Sequence, residues 1–163
     1  MVNNAGINIP KRSLAELSLD DWHSVVDTNL HGTFHVVHAA LPVMRAQQDG
    51  LIINVSSISG KRTISDLAGA AYCASKFAMN SLGNAINLEE FENGIRCTNI
   101  SPGEVATDIL DQRPEPPPPE RRALMLTPEH VGSIALAVCV LPPVAHVTEV
   151  IMTGKTTVRQ AVL

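Results

Sequence analysis

Three short apolar runs constrain this chain most: "LIINVSS" at 51–57, "IRCTNI" at 95–100 and "VTEVIM" at 147–152. Read as predominantly apolar rather than strictly alternating strands, they are expected to be covered on both faces. Helical stretches separate them. Ser18 is an N-cap candidate with Asp21 three positions on, a pairing of the capping-box kind. Trp22, Val25, Val26, Leu30, Phe34, Val37, Leu41 and Met44 then recur at helical spacing to about Gln47, with Pro42 expected to kink or end the helix late. A second long helix is predicted over 69–92, ended by Gly94, and a third opens at Thr127-Pro128-Glu129. The segment 103–126 carries "RPEPPPPERR" and reads as a mobile or polyproline loop. Strands alternating with helices predict a parallel α/β sheet covered by helices. Only Val2 stands before the turn "NNAG" at 3–6, so little of the strand behind that turn is present.

At 163 residues the chain has the length of one domain, 1–163. Hydrophobic residues make up 45% and charged residues 17%, which favours a folded core over disorder. Net charge is −4 and no Lys/Arg run exceeds two residues, which argues against nucleic acid as a partner. Cys73, Cys97 and Cys139 form no CxxC pair and are expected as reduced, packed thiols of a cytoplasmic protein. No apolar run approaches membrane-spanning length, and no secretory segment opens the chain. His31, His35 and His38 share a helix without an acidic or Cys partner in the pattern, so no metal site is expected. "TGKTT" at 153–157 lacks the first glycine of a phosphate loop, Glu149 standing in its place. The sequons at Asn54 and Asn99 fall in expected buried strands and are read as chance.

The stretch "AAYCASKFA" at 70–78 carries the chemistry. Tyr72 is the only tyrosine, and Lys76 stands four residues on, on the same helix face. An unperturbed phenol ionises near pH 10, and a neighbouring ammonium is expected to pull that value toward neutrality. Alone, such a pair is a weak motif. Its context is more specific: Ser57 ends a strand at the edge where ligands approach parallel sheets, and Pro102-Gly103 follows the next strand at the same edge.

Five signals in order, "NNAG", Asn29 in "DTNLHGTF", "INVSSISG", Tyr72-x-x-x-Lys76 and "PGEVAT", resemble the short-chain dehydrogenase/reductase family from Asn3 to about Ile151. The tail "LPPVAHVTEVIM" more weakly resembles members acting on small 3-hydroxy acids, among them serine dehydrogenase-like ones. The resemblance implies the C-terminal part of a Rossmann-type doubly wound parallel sheet, and an oxidoreductase interconverting a carbonyl and an alcohol with NAD(P)(H). It implies Tyr72 as general acid/base, Lys76 lowering its pKa and holding the cofactor ribose, and Ser57 polarising the carbonyl. Asn29 would anchor a water relay. Asn3, Ala5 and Gly6 would pass close to the cofactor, and Pro102, Gly103, Val105 and Thr107 would contact its nicotinamide end. Gly60, three residues after Ser57, matches the family's glycine and favours Ser57, with Ser59 as the runner-up. Residues 104–126 would cover a small-molecule substrate whose identity the sequence does not reveal. The helices at about 19–47 and 69–92 would pair subunits into a homo-oligomer.

The family's glycine-rich cofactor loop has no counterpart in these residues, nor do its first strands, so the chain reads as N-terminally truncated. With that loop would go the residue that separates NAD from NADP; NADP(H) is mildly preferred from the tail alone. A non-catalytic fragment that associates with a full-length relative is the alternative. The expected outcome of an NAD(P)H titration is weak or absent binding, and tight stoichiometric binding would overturn it.

Overall fold

The computed structural model describes residues 1–155. Four parallel strands, β1 (Val2–Asn3), β2 (Gly50–Val55), β3 (Ile95–Pro102) and β4 (Glu149–Met152), lie in the order β1-β2-β3-β4. Helices α1 (Leu19–Val26) and α2 (Gly32–Gln47) connect β1 to β2, and α3 (Ser65–Ala68) and α4 (Ala70–Glu89) connect β2 to β3. Helices α5 (Pro119–Arg122) and α6 (Pro128–Cys139) complete the order before β4. This is the expected α/β sheet. The "TGKTT" stretch runs beyond the described residues at Thr156 and Thr157.

Adjacent residues of β2 face opposite ways and seed two cores. Ile52, with Ile95 and Cys97, packs against Val37 of α2 and Ile86 of α4. Ile53, with Ile100, packs against Val138 of α6 on the other face. The absence of polar alternation in β2 and β3 follows from this two-sided cover.

Through the sheet runs a line of buried amides. Asn3, Asn54 and Asn99 stand in register on β1, β2 and β3. Asn3 Nδ2 donates to Asn54 Oδ1 at 2.9 Å, and Asn54 Nδ2 donates to Asn99 Oδ1 at 3.1 Å. Asn99 Nδ2 ends the line on the Asn80 carbonyl of α4 at 3.1 Å. Two of these asparagines head the sequons, and their burial inside the sheet closes both to modification. The line also dictates what crosses it: a Cβ on Gly83 of α4 would lie 2.6 Å from Asn99 Nδ2 and closer still to its Oδ1.

Several details depart from expectation. The run 19–47 is interrupted at Asp27–His31 by a π-turn, which rotates α2 relative to α1, and Phe34 of the expected apolar stripe points outward. Trp22 is only partly covered. Pro42 sits within α2 without ending it. His31 does have an acidic partner, its Nδ1 lying 2.8 Å from Asp27 Oδ1 one turn back. Cys73 and Cys97 are buried, whereas Cys139, the last residue of α6, faces solvent. The proline-rich segment is built rather than loose: a 3₁₀ turn at Asp108–Gln112 and α5 lie within it. Buried Glu104 ties both to β3, accepting from Arg113 at 2.7 Å and from Arg121 at 3.0 and 3.2 Å. As expected, Ser18 caps α1 through a 3.1 Å bond from Asp21 N, and Gly94, at φ 69°, closes the run that follows α4.

Two glycines of equal helical standing should respond oppositely to a methyl group. Gly83→Ala forces Asn99 aside and is expected to destabilise by about 1–3 kcal/mol. Gly132→Ala on α6 meets nothing within 4 Å and should stabilise by about 0.5–1 kcal/mol. Urea denaturation of both variants measures this; equal shifts would contradict the role of the amide line.

Candidate active site

Three residues beyond each amide of that line lies a residue of one cleft: Gly6 after Asn3, Ser57 after Asn54 and Pro102 after Asn99. The cleft, of about 620 Å³, opens at the carboxyl ends of the strands, where parallel sheets receive ligands. Tyr72 and Lys76 enter it from the first two turns of α4. Ser57 enters from the 3₁₀ turn Ile58–Gly60, which it caps by accepting from Ser59 N at 3.1 Å. That turn is pressed onto α4 at Gly60, where a Cβ would come within 2.6 Å of the Lys76 carbonyl oxygen. The absence of a side chain at Gly60 therefore sets how close Ser57 stands to the helix bearing Tyr72 and Lys76.

Among the expected site residues, Ser57, Tyr72, Lys76, Gly6, Pro102, Gly103, Val105 and Thr107 all line the cleft. Ser59 lines it too, but it is the Ser57 side chain that pulls the Tyr72 pKa downward. Asn4 rather than its neighbours Asn3 and Ala5 reaches the wall, since the Asn3 amide is committed to Asn54. Asn29 lies beneath, within the π-turn. Its Oδ1 accepts from Ile7 N at 2.8 Å, while its Nδ2 donates to Ile7 O and to Ser75 Oγ, both at 3.1 Å. Both Nδ2 hydrogens and one of the two Oδ1 lone pairs are thus used in pinning the turn after β1 to α4.

Sequence reasoning missed four charged residues of the cleft: Arg12, Glu104, Asp108 and Arg113. Arg12 is 6% exposed and donates to three backbone carbonyls: Ile9 from Nε at 2.7 Å, Leu67 from Nη1 at 3.0 Å, and Gln112 from Nη2. The one signal available for it was an arginine close after a turn at the ligand edge.

The electrostatics reverse one expectation. Lys76 Nζ donates to the Val55 carbonyl at 3.0 Å and sits over the face of the Tyr72 ring, 5.7 Å from its centre. Removal from water lowers its pKa to about 8. Tyr72 is raised above the ordinary phenol range, first by loss of solvent and further by Cys73, while the Ser57 side chain and the charges of Arg113 and then Arg12 pull downward. Lys76 does not produce the expected fall, because it faces the ring rather than the hydroxyl. Burial pushes the Cys97 thiol up to about 12, so it is inert packing.

The donor set suits a hydroxylated ligand beside Gly6. A Cβ there would lie 3.5 Å from Lys76 Nζ and 3.4 Å from Asn29 Oδ1, which places the Gly6 backbone against both side chains. Among the described residues no group of three or more His, Cys, Asp or Glu could hold a metal ion, and no helix is long and apolar enough to cross a membrane.

A parallel sheet with a Ser–Tyr–Lys group at its carboxyl edge defines a Rossmann-type dinucleotide-binding architecture. Residues 1–117 match the family described as short chain dehydrogenase, and the chain belongs to that family of oxidoreductases. It is 36% identical over 108 residues to cyclohexanol dehydrogenase of Acinetobacter sp. (strain SE19), covering 66% of this chain and 42% of that one. Serine dehydrogenase from Escherichia coli superposes with a TM-score of 0.79 at 28% identity, covering 95% of this chain and 63% of that one; a closed form of serine dehydrogenase was solved with NADP+. A 3-oxoacyl-[acyl-carrier protein] reductase with bound NAD from Brucella melitensis superposes at 0.72 with 30% identity, covering 92% of this chain and 59% of that one. The chain thus spans about two fifths to three fifths of the length of these relatives.

Lys76 has a measurable consequence for stability. Its folded pKa lies below the unfolded one, so the unfolded state holds the extra proton between pH 8 and the ordinary lysine range, and stability rises with pH across that window. Lys76→Met removes a buried charge and should stabilise the fold at pH 7 by on the order of 1–2 kcal/mol, after the lost bond to Val55. The rise toward alkaline pH should flatten in the variant. Melting temperatures at pH 7 and pH 10 check both; a destabilised variant at pH 7 would refute the account.

Proposed function

We propose that this chain carries the acid–base centre of an oxidoreductase that interconverts a small-molecule carbonyl and an alcohol with NAD(P)(H). The observation that carries the reading is that Ser57, Tyr72 and Lys76 meet on the wall of one cleft, with Lys76 Nζ 5.7 Å from the centre of the Tyr72 ring. The nicotinamide, when bound, supplies or accepts the hydride. Tyr72 donates the proton to the carbonyl oxygen, or removes it from the alcohol, and Ser57 holds that oxygen in place. Lys76, with N–H groups beyond those given to Val55, holds the ribose hydroxyls beside Gly6. Gly6, Pro102, Gly103, Val105 and Thr107 form the wall for the nicotinamide end. Asn29 supports the site by fixing the turn through Ile7 and anchors a water relay. Residues 104–126 cover the substrate. NADP(H) is the first cofactor to assay, and a reducing, cytoplasmic setting suits the free thiols.

A second reading has its own observation. Phe34, Val36 and Val43 of α2 and Phe77 and Leu88 of α4 expose apolar side chains on the two long helices expected to pair subunits. They support a homo-oligomer, or association of a non-catalytic chain with a longer relative.

The two readings separate on activity. Carbonyl-dependent oxidation of NADPH, followed by loss of reduced-nicotinamide absorbance, should fall about 10²–10⁴-fold in Tyr72→Phe. No turnover by the unaltered chain, together with co-purification of a longer homologue, would replace the enzyme reading with the second.

A further inference from the structure

Arg12 is one of two arginines in the cleft whose charge acts on Tyr72, and its setting is unusual. Its guanidinium is buried, forms no ion pair with a carboxylate among the described residues, and is held by carbonyls of three separate segments. Two of those segments bear on Tyr72. Leu67 lies in α3, and Gly69 joins α3 to the first turn of α4, two residues before Ala71 and three before Tyr72. Gly69 adopts φ +80°, and a Cβ there would lie 2.6 Å from Arg12 Cβ, so the Arg12 side chain is stacked directly on the turn that starts the Tyr72 helix. The third acceptor, Gln112, precedes Arg113, which contributes a second guanidinium to the cleft.

We propose that Arg12 is the positioning residue for Tyr72: it fixes the turn from which Tyr72 projects and supplies the uncompensated positive charge that favours the phenolate. This deepens the acid–base reading above and rests on it for the role of Tyr72. The charged and titratable groups facing Tyr72 are Lys76 and Cys73 of its own helix, Arg12 of the segment after β1, and Arg113 of the segment after β3. Arg113 acts on Tyr72 more strongly than Arg12 does, but its charge is shared with Glu104. Lys76 loses its proton at about pH 8, below the range in which Tyr72 ionises, and so is neutral when the phenol titrates. Arg12, although burial and then Arg113 lower its pKa, stays cationic throughout, as a guanidinium does. It is left as the one lasting charge next to Tyr72 without an acidic counterweight among the described residues.

The chain has a single tyrosine, so its ionisation can be followed directly by phenolate absorbance, without turnover or ligand. Relative to the unaltered chain, Arg12→Met should move the titration midpoint to more alkaline pH, while Arg12→Lys, which keeps the charge and loses the three-way clamp, should move it less. Lys76→Met should leave the midpoint in place. Cooperative melting verifies that each variant is folded, and Arg12→Gln replaces Arg12→Met should the latter fail. A midpoint unchanged in the neutral variant, equal shifts in the Lys and neutral variants, or a shift in Lys76→Met as large as that of the neutral variant would each overturn the proposal. Failure of carbonyl reduction would be seen in the NADPH assay and leaves this titration unaffected.

Discussion

The hydrogen-bonded line Asn3–Asn54–Asn99 is the constraint from which the rest of the molecule follows. An unpaired buried amide costs about 1–3 kcal/mol, so each strand can pair with its neighbour in only one register. A slip of one residue would orphan an amide and turn the apolar residues of β2 to the wrong faces. Because the same offset separates the line from Gly6, Ser57 and Pro102, fixing the register also levels the three loop starts that form the cleft floor. Helix α4 is drawn against the line by the Asn80 carbonyl and admitted by Gly83, and it brings Tyr72 and Lys76 with it.

Around that frame, burial and charge oppose one another. The cleft removes Lys76 and Tyr72 from water, and each responds by favouring its neutral form. Polar groups placed by distant segments offset part of this: Ser57 from the strand end, Arg12 from the turn after β1 and Arg113 from the segment after β3. The resulting site trades stability for chemical readiness, as sites built on desolvated ionisable groups do.

Much of this was legible in the sequence. The apolar runs marked a two-sided parallel sheet, Ser18 and Gly94 marked helix limits, and spacing together with context brought Ser57, Tyr72 and Lys76 to one edge. What stayed hidden depends on contacts between distant residues. Asn54 and Asn99 look like polar interruptions or sequons until β1, β2 and β3 align, and Arg12 finds two of its acceptors 55 and 100 residues away. The π-turn at Asp27–His31 leaves no signature in apolar spacing, and it turned Phe34 outward. The direction of the Tyr72 shift depends on solvent exclusion and on the side of the ring that Lys76 occupies. Neither can be read from a four-residue interval.

The buried Glu104 has a further consequence. Arg113 and Arg121, which pair with it, lie within the segment that it begins, and the segment is tied to what lies outside by the main-chain bonds of Glu104 and Ala106 with Leu126 and by the Arg12–Gln112 bond. This wall of the cleft is therefore held largely by bonds within one contiguous stretch. Its interior can diverge in length and shape while the sheet, the amide line and the placement of Ser57, Tyr72 and Lys76 stay as they are. A scaffold of this kind can reshape its cleft by replacing one contiguous stretch of chain.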